Sequence, residues 1–248
     1  MVVVWTDRGL RVRIPRGRFV AARVPRLGRY DCVSEAVILA IPDYTRAERI
    51  SDGIIHVAGV VLSIAAVTVL LRQTILMESA RAIVAAALYS TGLLATFGFS
   101  AAYNLTLACR WNEVLRRCDH SAIYVMIAGT FTPFGLARLG HPSGYLLLAL
   151  VWLTVGIGVA LKFACPRRFE RLSLVLYLAL GWLSAAGIAA AGLPVPTLLL
   201  LLGGGLLYSV GVIFFLRARL RFQNAIWHAF VLAAAICHYA AVQGLLPG

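Results

Sequence analysis

The stretch GIIHVAGVVLSIAAVTVLL, residues 53–71, decides the fold. It contains no Asp, Glu, Lys or Arg, and as a helix its 19 residues reach about 28 Å, close to the ~30 Å hydrocarbon core of a bilayer. Six further stretches of the same kind follow, at 82–106, 121–139, 144–164, 172–191, 195–216 and 224–243. None has the period-two alternation of barrel strands, so helices are the expected way to satisfy their backbone in lipid. Of 248 residues, 61% are hydrophobic and only 13% charged, more apolar surface than a water-soluble domain of this length could bury. The fold class read from these residues is an all-α, seven-transmembrane helix bundle.

The charges between the stretches give an orientation. Of the 23 Arg and Lys residues, ten precede Gly53, three lie in 107–120, four in 162–171 and three in 217–223. The alternate gaps hold only Arg72, Arg81 and Arg138. Cytoplasmic loops collect Lys and Arg, so the pattern predicts a cytoplasmic N-terminus and an outside C-terminus, in a bacterial plasma membrane. It also explains the net charge of +13 without nucleic acid, since these arginines sit where anionic headgroups attract them. The expected partners are membrane lipids, with the oligomeric state left open.

Residues 1–43 stand apart, with eight arginines against four acids and prolines at 15, 25 and 42. Two readings are open: a disordered basic arm at the inner membrane face, or a start assigned too far upstream, with the protein beginning nearer Tyr44. The apolar patch 36–41 is too short for a signal-peptide core. Residues 44–248 form the membrane domain. The five cysteines (Cys32, Cys109, Cys118, Cys165, Cys237) make no C-x-x-C pair and read as free thiols. Short Gly- and Pro-containing turns at 140–143 and 192–196 make neighbouring helices antiparallel. Pro133 is expected to kink the third span.

Ionisable groups inside a membrane are costly and mark function. Here they converge on the inner ends of four spans. Glu48, Ser51, Asp52 and His56 lie at the entry of the first, Ser100 and Asn104 at the exit of the second, Asp119 and His120 at the entry of the third, Asn224 and His228 at the entry of the seventh. Asp52 with His56, Ser100 with Asn104, and Asn224 with His228 are each spaced i, i+4 and share a helix face. An inner-leaflet polar site follows. The plainer reading is a ring of interfacial residues that cap helices or bind headgroups. His238 lies about 15 Å further along the last span and reads as a packing residue. His141 reads as a solvated loop residue.

Several segments carry a family resemblance: ERISDGIIHVAG at 48–59, FSAAYN at 99–104, CDHSAIYVMIAGTFTPF at 118–134, LVLYLALGW at 174–182, GGLLYSVGVIFF at 204–215 and NAIWHAFVLAAAICHYAAV at 224–242. The chain resembles the bacterial hemolysin III proteins, within the progestin and adiponectin receptor superfamily. The resemblance implies seven helices with the N-terminus inside. It also implies a zinc site near the cytoplasmic side, with one His ending an S-x-x-x-H run, two from an H-x-x-x-H run in the last helix, and an Asp holding a zinc-bound water. In this chain the runs are Ser100 to Asn104 and Asn224 to His228, so Asn stands at two of the three ligand positions. Asp119, Ser100 and His228 match.

Amide oxygens are weaker zinc ligands than imidazole nitrogens, but Asn keeps both donors and an acceptor. The expectation is a site degenerate in metal ligands, with no cofactor and with zinc at His228 as the alternative. The leading function is lipid sensing or membrane homeostasis. The alternative, implied by the resemblance to alkaline ceramidases, is metal-dependent hydrolysis of lipid amides or esters, with Ser100 and Asp119 as catalytic candidates. A pore-forming cytolysin would need a polar stripe through the whole membrane. A serine hydrolase built on Ser100, Asp119 and His228 would lack a G-x-S-x-G elbow. Glu48, Asp52 and His56 form a further polar cluster.

Overall fold

The computed structural model describes residues 2–6, 9–13, 19–21, 45–106, 111–138, 142–164, 170–189, 192–217 and 220–245. The chain divides into two compact units, Met1–Asp43 and Tyr44–Gly248. In the first, β1 (Val2–Thr6), β2 (Gly9–Arg13) and β3 (Phe19–Ala21) form an antiparallel meander in the order β1-β2-β3. Val2 pairs with Arg13 and Arg11 with Ala21. These strands lie where the sequence predicts a disordered arm. The β-branched and aromatic run VVVWT and the alternating GLRVR are strand-forming patterns that the arginine count obscures.

The second unit is helical: α1 (Arg46–Leu76), α2 (Ala80–Leu105), α3 (Asn112–Arg138), α4 (Pro142–Ala164), α5 (Glu170–Ala189), α6 (Val195–Phe215) and α7 (Gln223–Gln243). Each expected span corresponds to one of these seven. Among the described residues, five segments are long and apolar enough to cross a membrane: α1, α2, Gly144–Ala164 of α4, α6 and α7. α3 differs because its first turns carry Glu113, Arg116, Arg117 and Asp119, and the apolar part of α5 is the shorter stretch Leu172–Gly187.

α1 is longer than its apolar core and starts early, because a capping box precedes the membrane-like sequence. The Thr45 N–H donates to Glu48 Oε2 at 2.8 Å and the Glu48 N–H donates to Thr45 Oγ1 at 3.3 Å, which satisfies two end donors reciprocally. α1 ends at Met77, and Glu78 turns the chain with φ 52. Ser79 then caps α2 by accepting from the Ala82 N–H. The two helices therefore form a tight antiparallel hairpin, and the entry of α1 lies beside the exit of α2.

α3 is central, packed against α2, α4, α5 and α7, while α1 packs on α2 and α7. The α2–α3 seam is close because Gly92 and Gly129 lie on it. A Cβ on Gly92 would come 2.9 Å from Met126 Cα, and one on Gly129 would come 2.9 Å from the Leu88 carbonyl oxygen. Small residues at such positions let helix backbones meet in lipid. Tyr89, Tyr124, Phe131, Phe134 and Leu70 fill the interior. The outer surface shows Val57, Val61, Ile64, Leu153, Ile157, Leu183, Leu199 and Ile213 to the surroundings. A belt this apolar suits lipid rather than water.

Candidate polar site at one end of the bundle

Three helices build the site. Asp52 and His56 come from α1, Ser100 and Asn104 from α2, Asn224 and His228 from α7. Each pair lies one turn apart on the inward face of its helix, as the i, i+4 spacing predicts. His56, Ser100 and His228 are buried, and Asp52 is nearly so.

Asp52 is the hub. Its Oδ1 lies 2.9 Å from His228 Nδ1, and its Oδ2 accepts from Asn224 Nδ2 at 2.9 Å. The same Asn224 amide group donates to Asn104 Oδ1 at 3.2 Å. Asn104 Nδ2 donates to the Ser100 carbonyl oxygen at 2.9 Å. His228 Nε2 lies 3.3 Å from Ser100 Oγ. A continuous chain of polar contacts thus joins Ser100, His228, Asp52, Asn224 and Asn104 across α1, α2 and α7. Because a carboxylate can only accept, Asp52 fixes which end of the Asn224 amide faces it.

His56 is different. Its Nε2 is 3.4 Å from Asp52 Oδ2, but the alignment does not make a hydrogen bond, and this buried nitrogen has no partner among the described residues. Its ring lies 4.2 Å, centroid to centroid, from that of His228.

The sequence separates these residues into two groups, and the structure joins them. Asp52 and His56, read as a further polar cluster, share one site with His228. Glu48 belongs elsewhere: besides capping α1, its Oε1 accepts the Phe222 N–H at 3.0 Å. Phe222 is the left-handed N-cap of α7, with φ 59. Asp119, on α3, faces the Ser100 hydroxyl and the field of His56. The carboxylate on His228 is Asp52. Glu48, Asp52 and His56 recur every fourth residue, which places them on one helix face, but the partner of Asp52 is 176 positions away, beyond any local pattern. His238 lies apart, with Nε2 3.3 Å from the Leu201 carbonyl oxygen, and His120 contributes its carbonyl oxygen to Tyr177. His141, Cys32, Cys109 and Cys165 lie outside the described residues; Cys118 and Cys237 are free thiols.

The residues at the zinc positions implied by the resemblance, 104, 224 and 228, do not fit that metal. The Asn224 amide nitrogen, which has no lone pair to give a cation, is the end turned toward Asp52 and Asn104, and Asn104 Oδ1 already accepts from it. A different trio has metal-ligating chemistry: one ligand atom from each of Asp52, His56 and His228, all within 4.8 Å of one another.

The fold and the site together define a multi-pass helical membrane protein with ionisable groups gathered at one end of the bundle. The chain belongs to the haemolysin III family: the family model described as "Haemolysin-III related" matches residues 45–239. It is 38% identical over 203 residues to Hemolysin-3 of Bacillus cereus, covering 81% of this chain and 93% of that one. It is 36% identical over 201 residues to the Hemolysin-3 homolog of Bacillus subtilis (strain 168), covering 80% and 94%. The human monocyte to macrophage differentiation factor, from the progestin and adiponectin receptor superfamily, is 30% identical over 165 residues, covering 62% and 67%.

Proposed function

We propose that the protein senses membrane lipid and serves membrane homeostasis, spanning the plasma membrane seven times with its N-terminus in the cytoplasm. The alternation of arginine-rich and arginine-poor gaps supports this topology. The observation that carries the sensing role is an apolar cavity of about 360 Å³ at the end of the bundle opposite the polar site, lined by Leu70, Met77, Ala82, Leu136 and Val242, with Arg81 beside them. Its size falls within the ~300–1,000 Å³ of small-ligand sites. A mainly apolar lining, with the Thr74 and Ser79 hydroxyls and one cation, suits an acyl chain ending in an anionic group. The cavity lies among α1, α2, α3 and α7, and three of these are cross-linked at their other ends by the polar site. Occupancy at one end therefore bears on the helices that hold the other.

The test is photo-crosslinking with a diazirine fatty acid in native membranes. Ala82→Phe, which fills the cavity, is expected to reduce labelling severalfold, and unchanged labelling would sink the proposal.

A second reading, hydrolysis of a lipid ester or amide, is favoured by one arrangement: Ser100 Oγ on His228 Nε2, with Asp52 on His228 Nδ1. In that order the imidazole accepts the serine proton and the carboxylate holds the imidazole. Covalent labelling by a fluorophosphonate, lost in Ser100→Ala, is its signature.

A further inference from the structure

We infer that Asp52, His56 and His228 form a divalent transition-metal site of the zinc type, moved from the ligand positions that the family resemblance implies onto α1. Only His228 is shared with that set. The inference does not rest on the lipid-sensing reading and stands or falls separately.

Four observations support it. The donor set is two imidazole nitrogens and one carboxylate, a combination found in zinc sites with an open fourth position. The spacing is close to what a tetrahedral ion requires: ligand atoms each ~2.0–2.1 Å from zinc lie about 3.4 Å from one another. Here one ligand atom from each of Asp52, His56 and His228 lies within 4.8 Å of the others, and His56 Nε2 is 3.4 Å from Asp52 Oδ2, so small side-chain shifts bring the three to that spacing.

Third, His56 Nε2 is an orphan. It is buried, with its side chain 2% exposed, and lacks a hydrogen bond. A buried nitrogen left unsatisfied is destabilising, and coordination would remove that cost. The two imidazoles also crowd each other at 4.2 Å, as two ligands of one ion do.

Fourth, the outer contacts are those that hold ligands in place. Metal binding would displace the Nδ1 proton that His228 donates to Asp52 Oδ1 at 2.9 Å, and a proton on Nε2 then faces Ser100 Oγ. Asn224 donates to Asp52 and orients its carboxylate. Such partners fix tautomer and direction in metal sites. The two Asn residues thereby acquire a role: they stand in the outer contacts rather than among the ligands. This tautomer is the opposite of the one that the serine relay needs, so metal binding and fluorophosphonate labelling are expected to exclude each other.

The experiment is zinc loading of the detergent-purified full chain, followed by desalting and elemental mass spectrometry. Cobalt substitution is read in parallel by the visible bands of the tetrahedral ion. The wild type is expected to hold about one zinc per chain, and His56→Gln and Asp52→Asn to lower affinity by at least the ~10–100-fold that loss of an outer partner causes. His238→Gln, which removes an imidazole set apart from the site on the Leu201 carbonyl oxygen, is expected to retain the metal. Its elution and helical circular dichroism beside those of His56→Gln separate ligand loss from misfolding. A wild type that takes up no stoichiometric zinc or cobalt overturns the inference. So does a His56→Gln protein that binds as well as the wild type, or metal lost in His238→Gln with its fold intact.

Discussion

A carboxylate offers only acceptors, and Asp52 uses both of its oxygens on groups from other helices or from the next turn: His228, Asn224 and the edge of His56. Removing it leaves the buried His228 imidazole and the half-buried Asn224 amide each short of an acceptor. Asp52→Ala is therefore expected to lower unfolding stability in detergent by about 2–4 kcal/mol, from the ~1–3 kcal/mol of each unsatisfied group allowing for partial relaxation. Glu48→Gln, which keeps the shape of the cap and an acceptor oxygen, is expected to cost clearly less. Thermal unfolding followed by circular dichroism compares the two, and equal losses would contradict the hub role of Asp52. At this scale the sequence was legible in part. Residue type and i, i+4 spacing identified every polar side chain of the site. They did not reveal which carboxylate meets His228, because Asp52 and Asp119 both sit at helix entries of the same depth and only the packing of α1 against α7 separates them.

Helices were the most legible elements. A run such as GIIHVAGVVLSIAAVTVLL has one structure available in lipid, so existence and order followed from composition. The ends did not, because capping rather than hydropathy sets them: Thr45 and Glu48 start α1 seven residues before its apolar stretch does. The meander of β1 to β3 is hard to read for a related reason: arginines interrupt its short alternating runs, and their charge resembles that of a solvated arm. Helix contacts depend on single positions. Gly92 touches the backbone of α3, whereas a Cβ on Gly98, six residues along the same helix, would meet nothing within 4 Å. Gly92→Leu is expected to destabilise the bundle by about 1–3 kcal/mol, the usual cost of overpacking. Gly98→Leu is expected to be neutral within ~0.5 kcal/mol. Thermal melts of the two variants in one detergent distinguish a tight seam from a general intolerance of bulk.

At the scale of the whole molecule, the charge pattern and the site predict each other's side of the membrane. The arginine-rich gaps adjoin the entries of α1, α3 and α7, so the Asp52–His228 end is expected to face the cytoplasm. An alkaline phosphatase fused after Gly248 is expected to be active, and one fused at Arg110 inactive; the reverse result would turn the bundle over. The Glu48–Phe222 link and the Asp52–His228 contact have a further consequence, because among the described helices they join the first to leave the ribosome with the last. During synthesis α1 enters the bilayer with its acid and its imidazole unmatched and waits for most of the chain to be made before α7 arrives. A truncated or stalled product keeps that unmatched polar turn exposed in lipid, a mark by which membrane quality control can tell an unfinished chain from a finished one.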